Sequence, residues 1–304
     1  MPLDPAAQNV LALLAAAGGP GLHEQTPTEA RNAFAGMALL GGEGSPVASV
    51  VEREVGGVPA VVVTPEGTGP FPVLVWIHGG GWVIGTAAES AATCRTLAAG
   101  AGCVVVSVDY RLAPEHKAPA ALDDCLAATR WVLEHADEIG GDGSRVAVGG
   151  DSAGGNLAAL VALEFGSRLR HQLLVYPVTD LTLSHPSIAE NAEGYLLTKA
   201  GMQWFVDHYL SGTGLAADHP SVSPLYAADS AVAGAPPAYV VTAEFDPLRD
   251  EGEAYAARLA ALGVPVVQQR FDGLIHAFYS MPLAIPGAVT AHERSVELLR
   301  AAFA

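Results

Sequence analysis

Positive charge is scarce in this chain. Only two lysines, Lys117 and Lys199, occur among 304 residues, and 15 Lys+Arg face 32 Asp+Glu, for a formal net charge of −17 at pH 7. So acidic a chain cannot neutralise a phosphate backbone, which excludes nucleic acid as a partner. Charged residues of all kinds make up 15 %, against roughly 25 % in ordinary soluble domains. Half the residues are hydrophobic, enough apolar surface to offset the entropy of ordering, so a disordered chain is excluded. Cysteine is sparse as well. Cys94, Cys103 and Cys125 form neither a CxxC pair nor a Cys/His cluster at zinc spacing, which excludes a disulfide framework and predicts reduced, buried thiols. No stretch reaches the ~18 uncharged apolar residues that a membrane-spanning helix needs. Residues 10–17 have the look of a signal-peptide core, yet no Lys or Arg precedes Arg31 and Asp4 sits where positive charge is expected. The expectation is a cytoplasmic protein with no membrane partner.

What is present has a clear rhythm. Residues 1–45 read as helical: Asp4-Pro5 and Thr26-Pro27-Thr28-Glu29 are helix-start signals, and glycines with Pro20 separate the two helices. Residues 47–55 and 58–64 are β-branched runs around Gly56-Gly57 and predict an antiparallel hairpin. Apolar runs of parallel-sheet type follow at 72–77, 103–108, 145–149, 171–176, 238–242 and 264–270. Helical stretches alternate with them at 87–99, 118–135, 153–165, 250–262 and 288–301. Strands alternating with helices of this length predict an α/β fold, a mostly parallel sheet covered on both faces. Residues 180–235, with a helix near 199–210, depart from the rhythm and read as an excursion over the sheet that supplies a lid or pocket wall.

Gly150-Asp151-Ser152-Ala153-Gly154 stands between a predicted strand and a predicted helix. Gly and Ser are common enough that the pentad alone is weak. At a strand-to-helix junction it is informative, because a sharp turn there lifts the serine Oγ above the sheet and requires small neighbours. His78-Gly79-Gly80-Gly81-Trp82 follows another strand. Its glycines leave backbone N–H groups uncovered, and with the N–H of Ala153 they make a candidate oxyanion hole. The remaining members of a Ser–acid–His constellation should follow in that order. His276 comes shortly after the last strand, and Asp246, held extended before Pro247, follows the preceding one. Asp246 is preferred over Glu244, while Asp250 and Glu251 are read as helix N-terminal charges. Asp151 is too close to Ser152 to reach the far side of His276.

These motifs, together with Asp109-Tyr110-Arg111-Leu112-Ala113-Pro114-Glu115, Gly155-Asn156 and His276-Ala277-Phe278, resemble those of the hormone-sensitive-lipase-like branch of α/β-hydrolase carboxylesterases. The resemblance spans nearly the whole chain. It implies an α/β-hydrolase fold with an N-terminal helical cap at 1–45 and a catalytic domain at 46–304. It implies a Ser152–His276–Asp246 triad, oxyanion donors on Gly79, Gly80 and Ala153, and hydrolysis of short- to medium-chain carboxylic esters without metal or cofactor. Lys117-Ala118-Pro119 departs from the family pattern in a way that touches packing only.

Other residues carry lesser expectations. His78 should orient the glycine loop, with Tyr110, Arg111 and Glu115 bracing it from below. Trp82, Phe34, Trp204 and Phe205 are candidates for the substrate-binding wall. For Trp204, Phe205 and Tyr209, a helical stripe, core packing is the alternative. Phe34, Met37 and Leu40 either line an acyl pocket or dock the cap. A homodimer is left open. A non-catalytic receptor, an amidase and an acyltransferase on the same scaffold are the competing readings, and the complete triad argues against the first.

Overall fold

The computed structural model describes residues 1–304. Two helices come first, α1 (Pro5–Ala17) and α2 (Pro27–Ala35). The Asp4 carboxylate caps α1 by accepting from the N–H groups of Ala6 and Ala7, and Thr26 and Glu29 form a reciprocal capping box on α2. Then β1 (Ser49–Val55) and β2 (Val58–Thr64) make the antiparallel hairpin, followed by β3 (Phe71–Ile77), α3 (Ala91–Ala101), β4 (Val104–Val108), α4 (Ala120–His135), β5 (Gly141–Asp151), α5 (Ala153–Phe165) and β6 (Gln172–Val175). The excursion carries α6 (Pro186–Glu190), α7 (Lys199–Leu210) and α8 (Asp229–Ala233), and the chain closes with β7 (Ala238–Phe245), α9 (Arg249–Ala261), β8 (Val266–Ile275) and α10 (Gly287–Phe303).

The eight strands form one sheet in the order β1-β2-β4-β3-β5-β6-β7-β8, parallel from β4 to β8 and antiparallel only across the hairpin edge. The alternation along β3 shows why both faces are buried. Val73, Val75 and Ile77 enter a core of 55 buried residues on one face, and Leu74 and Trp76 enter a core of 31 on the other. β5 and β8 run longer than expected, to Asp151 and Ile275, and so carry the chain right up to Ser152 and His276. α3 starts four residues later than expected, because residues 83–90 turn above the sheet before the helix begins.

Two expectations about bracing need correction. Tyr110 does support the glycine loop, donating its hydroxyl to the His78 carbonyl at 2.9 Å, but Arg111 and Glu115 do not. Arg111 pairs with Asp124 on α4. Glu115 receives both ends of the Arg31 guanidinium at 2.8 and 2.7 Å, and Arg31 also donates to the carbonyls of Val83 and Ala113. A charge-assisted pair at two oxygens thus fastens α2 to the sheet's loops. Arg31 lies on the helix closing over the site, so Glu115 serves the cap, not the loop beneath it.

Candidate active site

The pentad forms the sharp turn its spacing predicts. Ser152 sits between β5 and α5 with φ 57 and ψ −118, a conformation that L-residues adopt only where the surroundings impose it. Small neighbours are obligatory for a visible reason. A Cβ on Gly154 would collide with the carbonyls of Ile77 and His78 on β3 and its loop.

Three side chains from three separate loops converge at the carboxyl ends of the strands. Ser152 Oγ lies 3.0 Å from His276 Nε2, and His276 Nδ1 lies 2.7 Å from Asp246 Oδ2. The other carboxylate oxygen of Asp246 accepts the N–H of Leu248 at 2.9 Å, and the residue is fully buried. Glu244, the rejected alternative, faces elsewhere: it accepts from the Gly273 N–H and from the Met1 ammonium. Asp250 and Glu251 do stand in the first turn of α9, as expected, and both also bond outside the helix. Asp250 accepts from the Ser187 N–H, and buried Glu251 accepts from the N–H groups of Thr179 and Asp180. Both tie the start of α9 to the excursion. Burial holds the Glu251 carboxyl well above the usual carboxylate range.

The glycine loop differs from expectation at one position. The Gly79 N–H is not free; it donates to Asp151 Oδ1 at 3.0 Å. The N–H groups of Gly80, Gly81 and Ala153 have no protein acceptor. The Gly79 N–H is thus occupied, unlike those of Gly80 and Gly81, because Asp151, one residue before the serine, reaches back to the first glycine. His78, stacked on Tyr110 with ring centroids 4.2 Å apart, donates from Nδ1 to the Gly79 carbonyl, and burial lowers its pKa.

Burial pushes the Asp151 carboxyl up to about 6 from the ordinary 3.8, against the opposing bond from Gly79. A carboxyl with a raised native pKa binds its proton more tightly when folded. Its stabilising contribution is complete below about 3.8 and is lost as pH rises through about 6. Asp151→Asn keeps an acceptor for Gly79 and cannot ionise. The melting-temperature difference, variant minus wild type, is expected to grow between pH 4 and pH 7. Thermal melts of both proteins across that range check it, and a difference flat with pH would contradict it.

A cavity of about 390 Å³ opens beside the serine. Ser152, His276, Gly80 and Gly81 line it, with Phe34 and Met37 from the N-terminal helical segment and Phe205 from α7. Trp82 borders it, but its fully buried ring lies flat on Tyr209 at 4.5 Å between centroids. Trp204 and Leu40 do not line it. The Trp204 ring stands edge-on to Phe205 and His208 instead, one helical step away from the cavity. The cysteines are all free and buried, and burial raises the thiols of Cys94 and Cys103 to about 12, which leaves them inert. No group of His, Cys, Asp and Glu is placed to hold a metal ion, and no helix is long and apolar enough to cross a membrane.

A serine on a strand-to-helix turn at the carboxyl edge of such a sheet, in line with a histidine and a buried carboxylate, is the architecture of the α/β class of hydrolases. A model of the alpha/beta hydrolase fold family matches residues 74–280. "Carboxylesterase NlhH" of Mycobacterium tuberculosis is 44 % identical over 237 residues, covering 76 % of this chain and 74 % of that protein. "Ethyl acetate hydrolase" of Pseudomonas putida is 38 % identical over 232 residues, covering 75 % and 72 %. Among solved structures, a thermostable esterase from Pseudomonas putida superposes with a TM-score of 0.93 at 39 % identity, over 100 % of this chain and 98 % of that one. The chain belongs to the hormone-sensitive-lipase-like family of α/β hydrolases.

Proposed function

We propose that this protein hydrolyses short- to medium-chain carboxylic esters through an acyl-enzyme formed on Ser152. Family membership, with relatives named as carboxylesterase and ethyl acetate hydrolase, makes it a carboxylic ester hydrolase. The finer reading is carried by one observation, the unbroken Ser152–His276–Asp246 line of 3.0 and 2.7 Å contacts at the floor of the cavity.

The steps follow from that geometry. Ser152 Oγ attacks the ester carbonyl carbon while His276 Nε2 takes its proton, and the carbonyl oxygen gains negative charge. The N–H groups of Gly80, Gly81 and Ala153 stabilise that charge, each donor being worth about 10²–10³ in turnover. Asp246 holds the imidazole with Nδ1 protonated and stabilises its cationic form. His276 then gives its proton to the departing alkoxide. Water enters by the same route and releases the acid.

A p-nitrophenyl ester series from acetate to palmitate tests the acyl range. The expected result is a maximum at short to medium chains with steep decline beyond, since about 390 Å³ must hold both halves of the ester. A maximum at palmitate would refute the range. A non-catalytic receptor role predicts no turnover with any of them, and the intact triad line opposes it.

A further inference from the structure

One carboxylate faces the cavity without a task in the mechanism. Glu89 lies in the segment between the glycine loop and α3 and lines the cavity that holds Ser152 and His276. Its Oε2 is shut off from solvent and has no hydrogen-bond partner. It pairs with no cation, since no salt bridge includes it and no Lys or Arg lines the cavity. A buried oxygen left in that state costs about 1–3 kcal/mol, and more when charged, a cost that a donor brought to it from the cavity would relieve.

The cavity walls differ in chemistry. The wall from α7 and the strand loops below it is apolar, with Val178, Leu197, Met202 and Phe205. The wall at the start of α3 carries Thr86, Glu89, Ser90 and Thr93. The two walls belong to opposite faces of the sheet, since Met202 and Phe205 pack in the larger core while α3 packs in the smaller through Cys94 and Leu97. An ester bound at Ser152 between them has one half against hydrocarbon and the other beside hydroxyls and a carboxylate, on a side that Leu14, Met37 and Trp76 also line. Burial also raises the Glu89 pKa, against opposing hydrogen bonds from Thr86.

We infer that Glu89 is a specificity residue, and that the preferred substrates are esters in which one half is plain hydrocarbon and the other bears a hydroxyl that donates to Glu89. The inference rests on the ester-hydrolase reading above and adds the chemistry of one substrate half. A hydroxyl here gains a charge-assisted bond that an alkyl group of the same size cannot make. An anionic substituent is repelled by Glu89, and by Asp151 once that carboxyl ionises.

Two isosteric pairs test it and separate the two sources of the hydroxyl. In the alcohol half, 2-hydroxyethyl butyrate is compared with propyl butyrate; in the acyl half, ethyl 3-hydroxybutyrate is compared with ethyl 3-methylbutyrate. The quantity read is the ratio of kcat/KM values within each pair, so any general change in turnover cancels. In one pair the wild-type ratio is expected to favour the hydroxyl ester and to fall about ten-fold in Glu89→Leu, with Glu89→Gln, which keeps an acceptor oxygen, in between. Ratios that agree within two-fold between wild type and Glu89→Leu for both pairs would overturn the inference while leaving the hydrolase intact. No hydrolysis of any of the four esters by the wild type would overturn the hydrolase reading itself.

Discussion

Replacing Ser152 with alanine is expected to lower ester turnover by about 10⁴–10⁶-fold. The oxygen removed is the atom that would form the acyl bond, and no other hydroxyl stands within hydrogen-bonding distance of His276 Nε2. What survives is the activity that backbone donors and the cavity supply without a nucleophile, about 10³–10⁴ over water. The fold should not change. The Ser152 backbone N–H still donates to the Val175 carbonyl, and alanine meets the same backbone strain at φ 57 that serine already meets. Hydrolysis of p-nitrophenyl butyrate with a thermal melt of the same sample checks both halves. Turnover within ten-fold of wild type would mean that another group is the nucleophile.

Asp246→Asn is expected to lower kcat by about 10⁴ with a much smaller change in KM. The structure gives the reason atom by atom. The Leu248 N–H donates to Oδ1 of Asp246 at 2.9 Å, so an asparagine here keeps its carbonyl oxygen on that side. Its NH₂ group must then face His276 Nδ1, where Oδ2 now lies 2.7 Å away. That contact forces Nδ1 to accept, which leaves the imidazole proton on Nε2, pointing at the serine it should deprotonate. The variant also loses the anion that stabilises the imidazolium. Steady-state kinetics on a short ester separate kcat from KM, and a loss smaller than ten-fold would remove Asp246 from the mechanism.

Much of this fold and site can be read along the chain because their signals are local. The strand-to-helix serine needs small residues at fixed offsets, and the glycine run needs a strand before it. Parallel strands buried on both faces betray themselves as unbroken apolar runs such as Val73–Ile77. The choice of Asp246 over Glu244 also follows locally, since Pro247 keeps the preceding residue extended. Other features depend on partners far away in sequence. Three successive glycines look alike until Asp151, 72 positions beyond Gly79, takes the N–H of the first. Trp204 and Phe205 are neighbours on one helix, and only the packing of α7 turns Phe205 into the cavity and Trp204 out of it. Arg111 and Glu115 share a motif yet go to different partners, Asp124 on α4 and Arg31 on α2.

By itself the sequence determined the order of strands and helices, the grouping of Ser152, Asp246 and His276 proposed as nucleophile, acid and base, and the excursion at 180–235. Each rests on residue type and spacing within a few positions, where backbone geometry leaves little choice. Only the tertiary structure decided which glycine N–H groups are free, which aromatic rings wall the cavity, and that Glu89 stands in it with a carboxylate oxygen unpartnered. Those outcomes turn on distances of about 3 Å between groups tens of residues apart, and such distances exist only once the sheet has brought its loops together.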